Sequence, residues 1–184
     1  MGDADSLAEA LQGIKKAFLL TNSSEAAETL QGNFVKAARK AGVQHIVKLS
    51  QLAADIHSPV RFLRYHAAIE QQIKDAGIAY TFLRPNLFMQ GFLAFRELIA
   101  RQGKFFAAIG EAPISVIDIR DIAAVAAAAL TNDIHQHKTY TLTGPEALTH
   151  RQIAAVLSNT LEKPVTFIDI SPEEMHKAIL EVGF

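Results

Sequence analysis

The chain has 184 residues, of which 49% are hydrophobic and 20% charged, with a formal net charge of −1. Those values fit one globular domain with a substantial core, and without any basic run they point to neither nucleic acid nor an anionic membrane surface as a partner. The absence of cysteine excludes disulfides, thiolate metal sites and a cysteine nucleophile, and makes a reducing cytosol the simplest setting.

In chain order, Asp5 precedes Leu7, Ala8, Ala10 and Leu11, predicting a short helix stopped by Gly13. Lys16 to Thr21 (KAFLLT) reads as a buried strand. Asn22 and Glu25 have capping-box spacing, so a helix is expected from there to Ala41, ending at Gly42. Gln44 to Leu49 (QHIVKL) is a second buried strand, closed by Ser50, and Pro59 opens a helix that runs through Glu70 to Gly77. Ala79 to Leu83 is the third strand. Pro85 cannot donate to a sheet ladder, so the strand stops there and the chain turns outward.

Beyond that point Phe92, Phe95, Leu98 and Ile99 share one helical face within Gly91 to Arg101. Ser115 to Ile117 is expected as a short strand, and Asp118 with Asp121 as the start of an alanine-rich helix to Leu130. That helix contains the longest apolar run, Ile122 to Leu130, about half of the ~20 residues needed to span a bilayer. Lys138 to Thr143 alternates like a half-exposed strand, Thr149 to Leu161 is helical, and Val165 to Ile170 is a strand. Ser171, Pro172 and Glu174 then open a last helix. Buried strands alternating with helices imply right-handed βαβ crossovers and a parallel sheet. The alternation weakens after Gly103, so a single domain over residues 1–184 is expected to carry a smaller, irregular lobe within 104–184. In an open parallel sheet, ligands bind beyond the carboxyl ends of the strands, which draws attention to Arg84, Pro85, Asn86 and Phe88.

Four passages together resemble the NmrA-like branch of the atypical short-chain dehydrogenase/reductases: GDADSLAEALQG, AFLLTN, HAAIEQQIKDAGIAYTFLRPNLFMQ, and ISVIDIRDIAAVAAAAL with YTLTGPEALTHRQIA. The resemblance implies a partial Rossmann-type parallel sheet with flanking helices, NADP or NAD as cofactor, and hydride transfer to a quinone-like or small carbonyl acceptor. Some members instead bind the cofactor as redox sensors and act on a protein partner. A homodimer is compatible with either reading. The family's glycine-rich, pyrophosphate-holding turn is not found: the ten glycines contain no G-x-G or G-x-x-G pair. Gly2-Asp3 resembles the end of the family's third strand, and relatives continue past SPEEMHKAI, so the chain is expected to be a fragment that binds cofactor weakly by itself.

The resemblance also implies site residues, each with an ordinary structural alternative. Phe62 falls where most short-chain reductases carry a proton-donating tyrosine, and His66 where they carry a ribose-binding lysine. Phenylalanine has no proton to give, so His66 is the one candidate for proton transfer as well as for ribose contact. It can equally be a plain helix histidine. Thr21, Asn22 and Ser23 would touch the phosphate-ribose region, with Asn22 also a helix cap. Ser50 occupies the place of a catalytic serine in relatives. Asn86, Leu87 and Phe88 would lie beside the nicotinamide through their backbone, while the Phe88 and Met89 side chains would either wall the acceptor pocket or, the favoured reading, lie in the core. Asp3 would meet the adenine. His135-Gln136-His137 lacks a third ligand at metal spacing, and Asp118 with Asp121 is better explained as helix-start acids. No hydrolase elbow or zinc-peptidase motif is present.

Overall fold

The computed structural model describes residues 1–181. In chain order the elements are α1 (Ala4–Ala10), β1 (Lys16–Leu19), α2 (Ala27–Ala41), β2 (His45–Leu49), α3 (Arg61–Asp75), β3 (Ala79–Pro85), α4 (Arg96–Gln102), β4 (Lys104–Ala107), α5 (Ile119–Thr131), β5 (Lys138–Leu142), α6 (His150–Leu161), β6 (Thr166–Asp169) and α7 (Pro172–Glu181). They form two compact units. The first contains Met1–Asn86 and Ile119–Leu142, the second Leu87–Asp118 and the chain from Thr143 onward. Among the described residues no helix is long and apolar enough to cross a membrane.

The first unit holds a four-stranded sheet of order β1-β2-β3-β5, parallel throughout, as the alternation of strands and helices predicts. Because side chains alternate across a strand, β2 and β3 divide their residues between two layers. Ile46 and Phe82 pack with Phe34 and Val35 of α2 and with Ile69 and Ile73 of α3. Val47 and Leu83 face the other way, onto Ala126 and Ala129 of α5. Burying each such Ile, Leu or Phe contributes about 1.5–3 kcal/mol, so these layers fix the strand ends firmly. Gly42 (φ 74°) and Gly77 (φ 69°) follow α2 and α3 as the expected stops.

Asp3 caps α1, its Oδ1 accepting from the N–H groups of Asp5 (2.9 Å) and Ser6 (3.1 Å). The Asn22–Glu25 capping box is not formed: α2 begins at Ala27, and no side chain caps it. Glu25 instead pairs with Arg61 of α3 at 3.2 Å, which removes the acid that would have reached back to Asn22.

The second unit pairs β4 with β6 in parallel around Phe105 and Phe167, against Ile99 of α4 and Ile153 of α6. β4 was not expected. It is a four-residue strand whose only ladder partner lies some sixty residues on, so no local pattern announces it. Ser115 to Ile117 is not a strand: single bridges join Ile114 to Leu148 and Ile117 to Phe88. The Gly91–Arg101 helix is split, with a tight 3₁₀ segment over Met89–Phe95 followed by α4. Thr149 forms a full capping box with Gln152 at the start of α6, and Ser171 with Glu174 does the same before α7. Gly144 is a steric necessity, since a Cβ there would come within 2.1 Å of the Val116 carbonyl oxygen.

Candidate functional site

The carboxyl ends of β1, β2 and β3 gather polar side chains of the first unit. Lys48, next to last in β2, is fully buried on the α2/α3 side of the sheet. A buried ammonium is tolerated only when each hydrogen finds an acceptor. Three are present: Gln31 Oε1 of α2 at 2.9 Å, the Leu49 carbonyl at 3.2 Å and His66 Nδ1 of α3 at 3.0 Å. Gln31, itself buried, donates through Nε2 to Thr21 Oγ1 at 2.8 Å. One chain of hydrogen bonds therefore runs Thr21–Gln31–Lys48–His66, and its polarity is fixed from the lysine outward. With Lys48 charged, His66 Nδ1 must accept, so the imidazole carries its proton on Nε2. Thr21 Oγ1 accepts from Gln31, which leaves its own hydrogen to donate.

Electrostatics follow from burial. Loss of water pushes the Lys48 ammonium down to about 7, against the pull of the nearby Glu70 carboxylate. Burial first, and the Lys48 charge second, push His66 down to about 3, so it is neutral at neutral pH. Glu70 is held from two sides: Ser50 Oγ donates to Oε1 at 2.5 Å, and Arg84 reaches Oε1 through Nε at 3.0 Å and Oε2 through Nη2 at 2.5 Å. This fork, which raises Arg84 above its ordinary value mainly through the bond to Glu70, ties α3 to the ends of β2 and β3.

The expected site residues divide by place. Thr21 and His66 join the network. Ser50 is buried and its hydroxyl hydrogen is committed to Glu70, so it acts as a brace for α3. Ser23 Oγ accepts from the buried Tyr65 hydroxyl at 3.2 Å, and Asn22 is exposed beside it. Asn86 follows β3, its N–H donating to the Leu142 carbonyl at 2.9 Å. Leu87 and Phe88 belong to the second unit, where Leu87 O accepts from Ile117 N at 3.0 Å. The Phe88 and Met89 side chains are not core residues: they are 39% and 45% exposed, at the start of the tight 3₁₀ segment whose Phe92 and Phe95 pack against the apolar cluster. The Asp3 carboxylate caps α1. Phe62 is exposed at the start of α3. Among the described residues no cluster of histidines and acids suits a metal; His135 Nδ1 lies 2.9 Å from the Tyr140 hydroxyl instead.

Sequence reasoning missed Lys48 and Gln31. The signal was present: a lysine inside a strand read as buried, QHIVKL, demands partners from the elements packed on that face. The second unit contains a separate, largely apolar cavity of about 670 Å³, lined by residues such as Phe92, Ile99, Leu148, Ile153 and Leu157.

A parallel sheet with helices on both faces and polar groups gathered at its carboxyl edge defines a Rossmann-like α/β protein. The chain belongs to the NmrA-like family, whose sequence profile matches residues 1–184. It is 37% identical to an NAD(P)H azoreductase of Xenophilus azovorans over 177 residues, covering 96% of this chain and 62% of that protein. It is 34% identical to quinone oxidoreductase 2 of Escherichia coli over 183 residues, covering 99% of this chain and 64% of that one. Among solved structures, the NADPH complex of an Escherichia coli NADPH-dependent quinone oxidoreductase superposes with a TM-score of 0.90 at 34% identity, over 100% of this chain and 65% of the other. A Citrobacter triphenylmethane reductase complexed with NADP(H) gives a TM-score of 0.87 at 29% identity, over 99% and 65%. The chain thus spans under two thirds of the length of these relatives.

Proposed function

We propose that this chain supplies the nicotinamide side of an NAD(P)H-dependent reductase acting on a quinone-like or other small carbonyl acceptor. The observation that carries the reading is the network at the sheet's carboxyl edge, which leaves two oriented donors, the Thr21 hydroxyl and His66 Nε2–H, where open parallel sheets bind ligands. This donor set fits ribose hydroxyls and a carboxamide. The glycine-rich turn that would cradle a pyrophosphate is not among these 184 residues, so the fit is to the nicotinamide half of the cofactor. The names and bound cofactors of the relatives support the same chemistry.

When bound, reduced nicotinamide supplies the hydride. The work left to the chain is orientation. The Thr21 hydroxyl holds the ribose end and His66 Nε2–H serves the reacting end, while the Glu70–Arg84–Ser50 brace keeps α3, and with it His66, in register with the strand tips. Phe62, with no acid proton, suits an acceptor whose reduction needs no strong protein acid at that position. Quinone-dependent oxidation of NADPH, followed by absorbance with the cofactor in excess, tests the reading. Turnover that falls when His66 is replaced by alanine is expected. Cofactor binding without turnover for any quinone, azo compound or small carbonyl would point instead to a redox sensor.

A further inference from the structure

Resting on that reductase reading, we infer that Lys48 is the proton store behind His66, and that the pair delivers a proton to the reduced acceptor through His66 Nε2. The argument is one of hydrogen count. Two of the three groups around Lys48 Nζ, Gln31 Oε1 and the Leu49 carbonyl, can only accept. In the structure the Gln31 amide presents Oε1 to Lys48 while its Nε2 donates to Thr21 Oγ1. An ammonium has three hydrogens, so its third goes to His66 Nδ1 and the imidazole carries Nε2–H. A neutral amine has two hydrogens, both claimed by the oxygens, and its lone pair then faces Nδ1, which must carry the proton. With Gln31 in this orientation, the protonation state of Lys48 sets the tautomer of His66.

This coupling balances a reduction. As hydride from NAD(P)H reaches the acceptor, the acceptor oxygen takes a proton from His66 Nε2, and Nδ1 takes one from Lys48 Nζ. Lys48 ends neutral and His66 remains neutral throughout. Solvent protonates Nε2 after product leaves, Nδ1 returns its proton to Nζ, and the pair is reset. The charged groups near the amine are Glu70 of α3, which favours the ammonium, and Arg84 of β3, which is bound to that carboxylate. Tyr65, beside the imidazole with ring centroids 4.6 Å apart, is tied to Ser23, and α2 contributes only the uncharged Gln31. Burial brings the amine near neutrality, where a proton store is useful in both directions.

The test is the ¹⁵N NMR spectrum of His66 in the histidine-labelled 184-residue chain, titrated through neutral pH. The proposal expects the Nε2–H form on the acid side, the Nδ1–H form on the alkaline side, and a crossover near the Lys48 value of about 7. Lys48→Met should abolish the crossover. Should that variant fail to fold, Gln31→Glu places an anion beside the amine and should move the crossover up by about one pH unit or more. One tautomer at every pH in the wild-type chain, or an unmoved crossover in Gln31→Glu, overturns the proposal. If the crossover is absent while quinone-dependent NADPH oxidation proceeds, the relay fails and the reductase reading stands. If the crossover is present and no acceptor is reduced, the reductase reading fails and takes the relay with it. With both present, Lys48→Met should lower kcat on the order of a hundredfold with KM for NADPH little changed.

Discussion

A buried lysine beside a half-buried histidine makes the stability of this protein depend on pH in a definite direction. Burial lowers both groups, so the folded chain holds fewer protons than the unfolded one between each folded and unfolded value. Stability therefore rises with pH across both windows. For His66, folded near 3 against 6.5 unfolded, the contribution is complete above 6.5 and is lost as pH falls toward 3. For Lys48, folded near 7 against 10.5, stability gains across the range from 7 to 10.5. Thermal denaturation at a series of pH values checks this: His66→Phe should flatten the acid limb of the Tm profile, and Lys48→Met the alkaline limb. Glu70→Gln tests the brace. It removes the charge that pairs with the partly exposed Arg84 and weakens the acceptor for Ser50, and should cost about 2–4 kcal/mol in denaturant unfolding. Where the fold is kept, a loss of the proposed quinone-dependent NADPH oxidation is expected to follow from movement of α3, since Glu70 is tied to the strand ends rather than to the imidazole.

Among the elements, local chemistry was readable where the element closes on itself. Ser171 and Glu174, expected to open a helix, form a capping box in the structure, and Thr149 with Gln152, at the start of a segment expected to be helical, forms another. Asn22 with Glu25 has the same spacing and no cap, because Arg61, distant in sequence, captures Glu25. The contrast is measurable. Thr149→Ala should lose about 1 kcal/mol, whereas Asn22→Ala should stay within about 0.5 kcal/mol of the parent in urea melts. β4 was illegible for a related reason: four residues with a partner from a remote segment carry no periodicity of their own. Gly144→Ala should be among the costliest loop substitutions in the second unit, about 1–3 kcal/mol, since its new methyl would meet the Val116 carbonyl.

For the molecule as a whole, the parallel sheet followed from the order of buried strands and helices, and β1-β2-β3-β5 carries the order through. The candidate site was half legible. Thr21, His66 and Ser50 were singled out by their places at strand ends or on the helix, through the family resemblance. What joins them was not, because Lys48, Gln31 and Glu70 act across α2, β2 and α3, and only packing brings those segments together. We propose that the carboxyl edge of this sheet receives the nicotinamide end of NADPH. Titrating NADPH into the isotope-labelled chain and mapping the NMR shifts tests it most directly, since the method reads weak binding as well as strong. Shifts concentrated at Thr21, His66 and Asn86 that saturate together are expected. Shifts confined to other surfaces, or none with the cofactor in large excess, would contradict it.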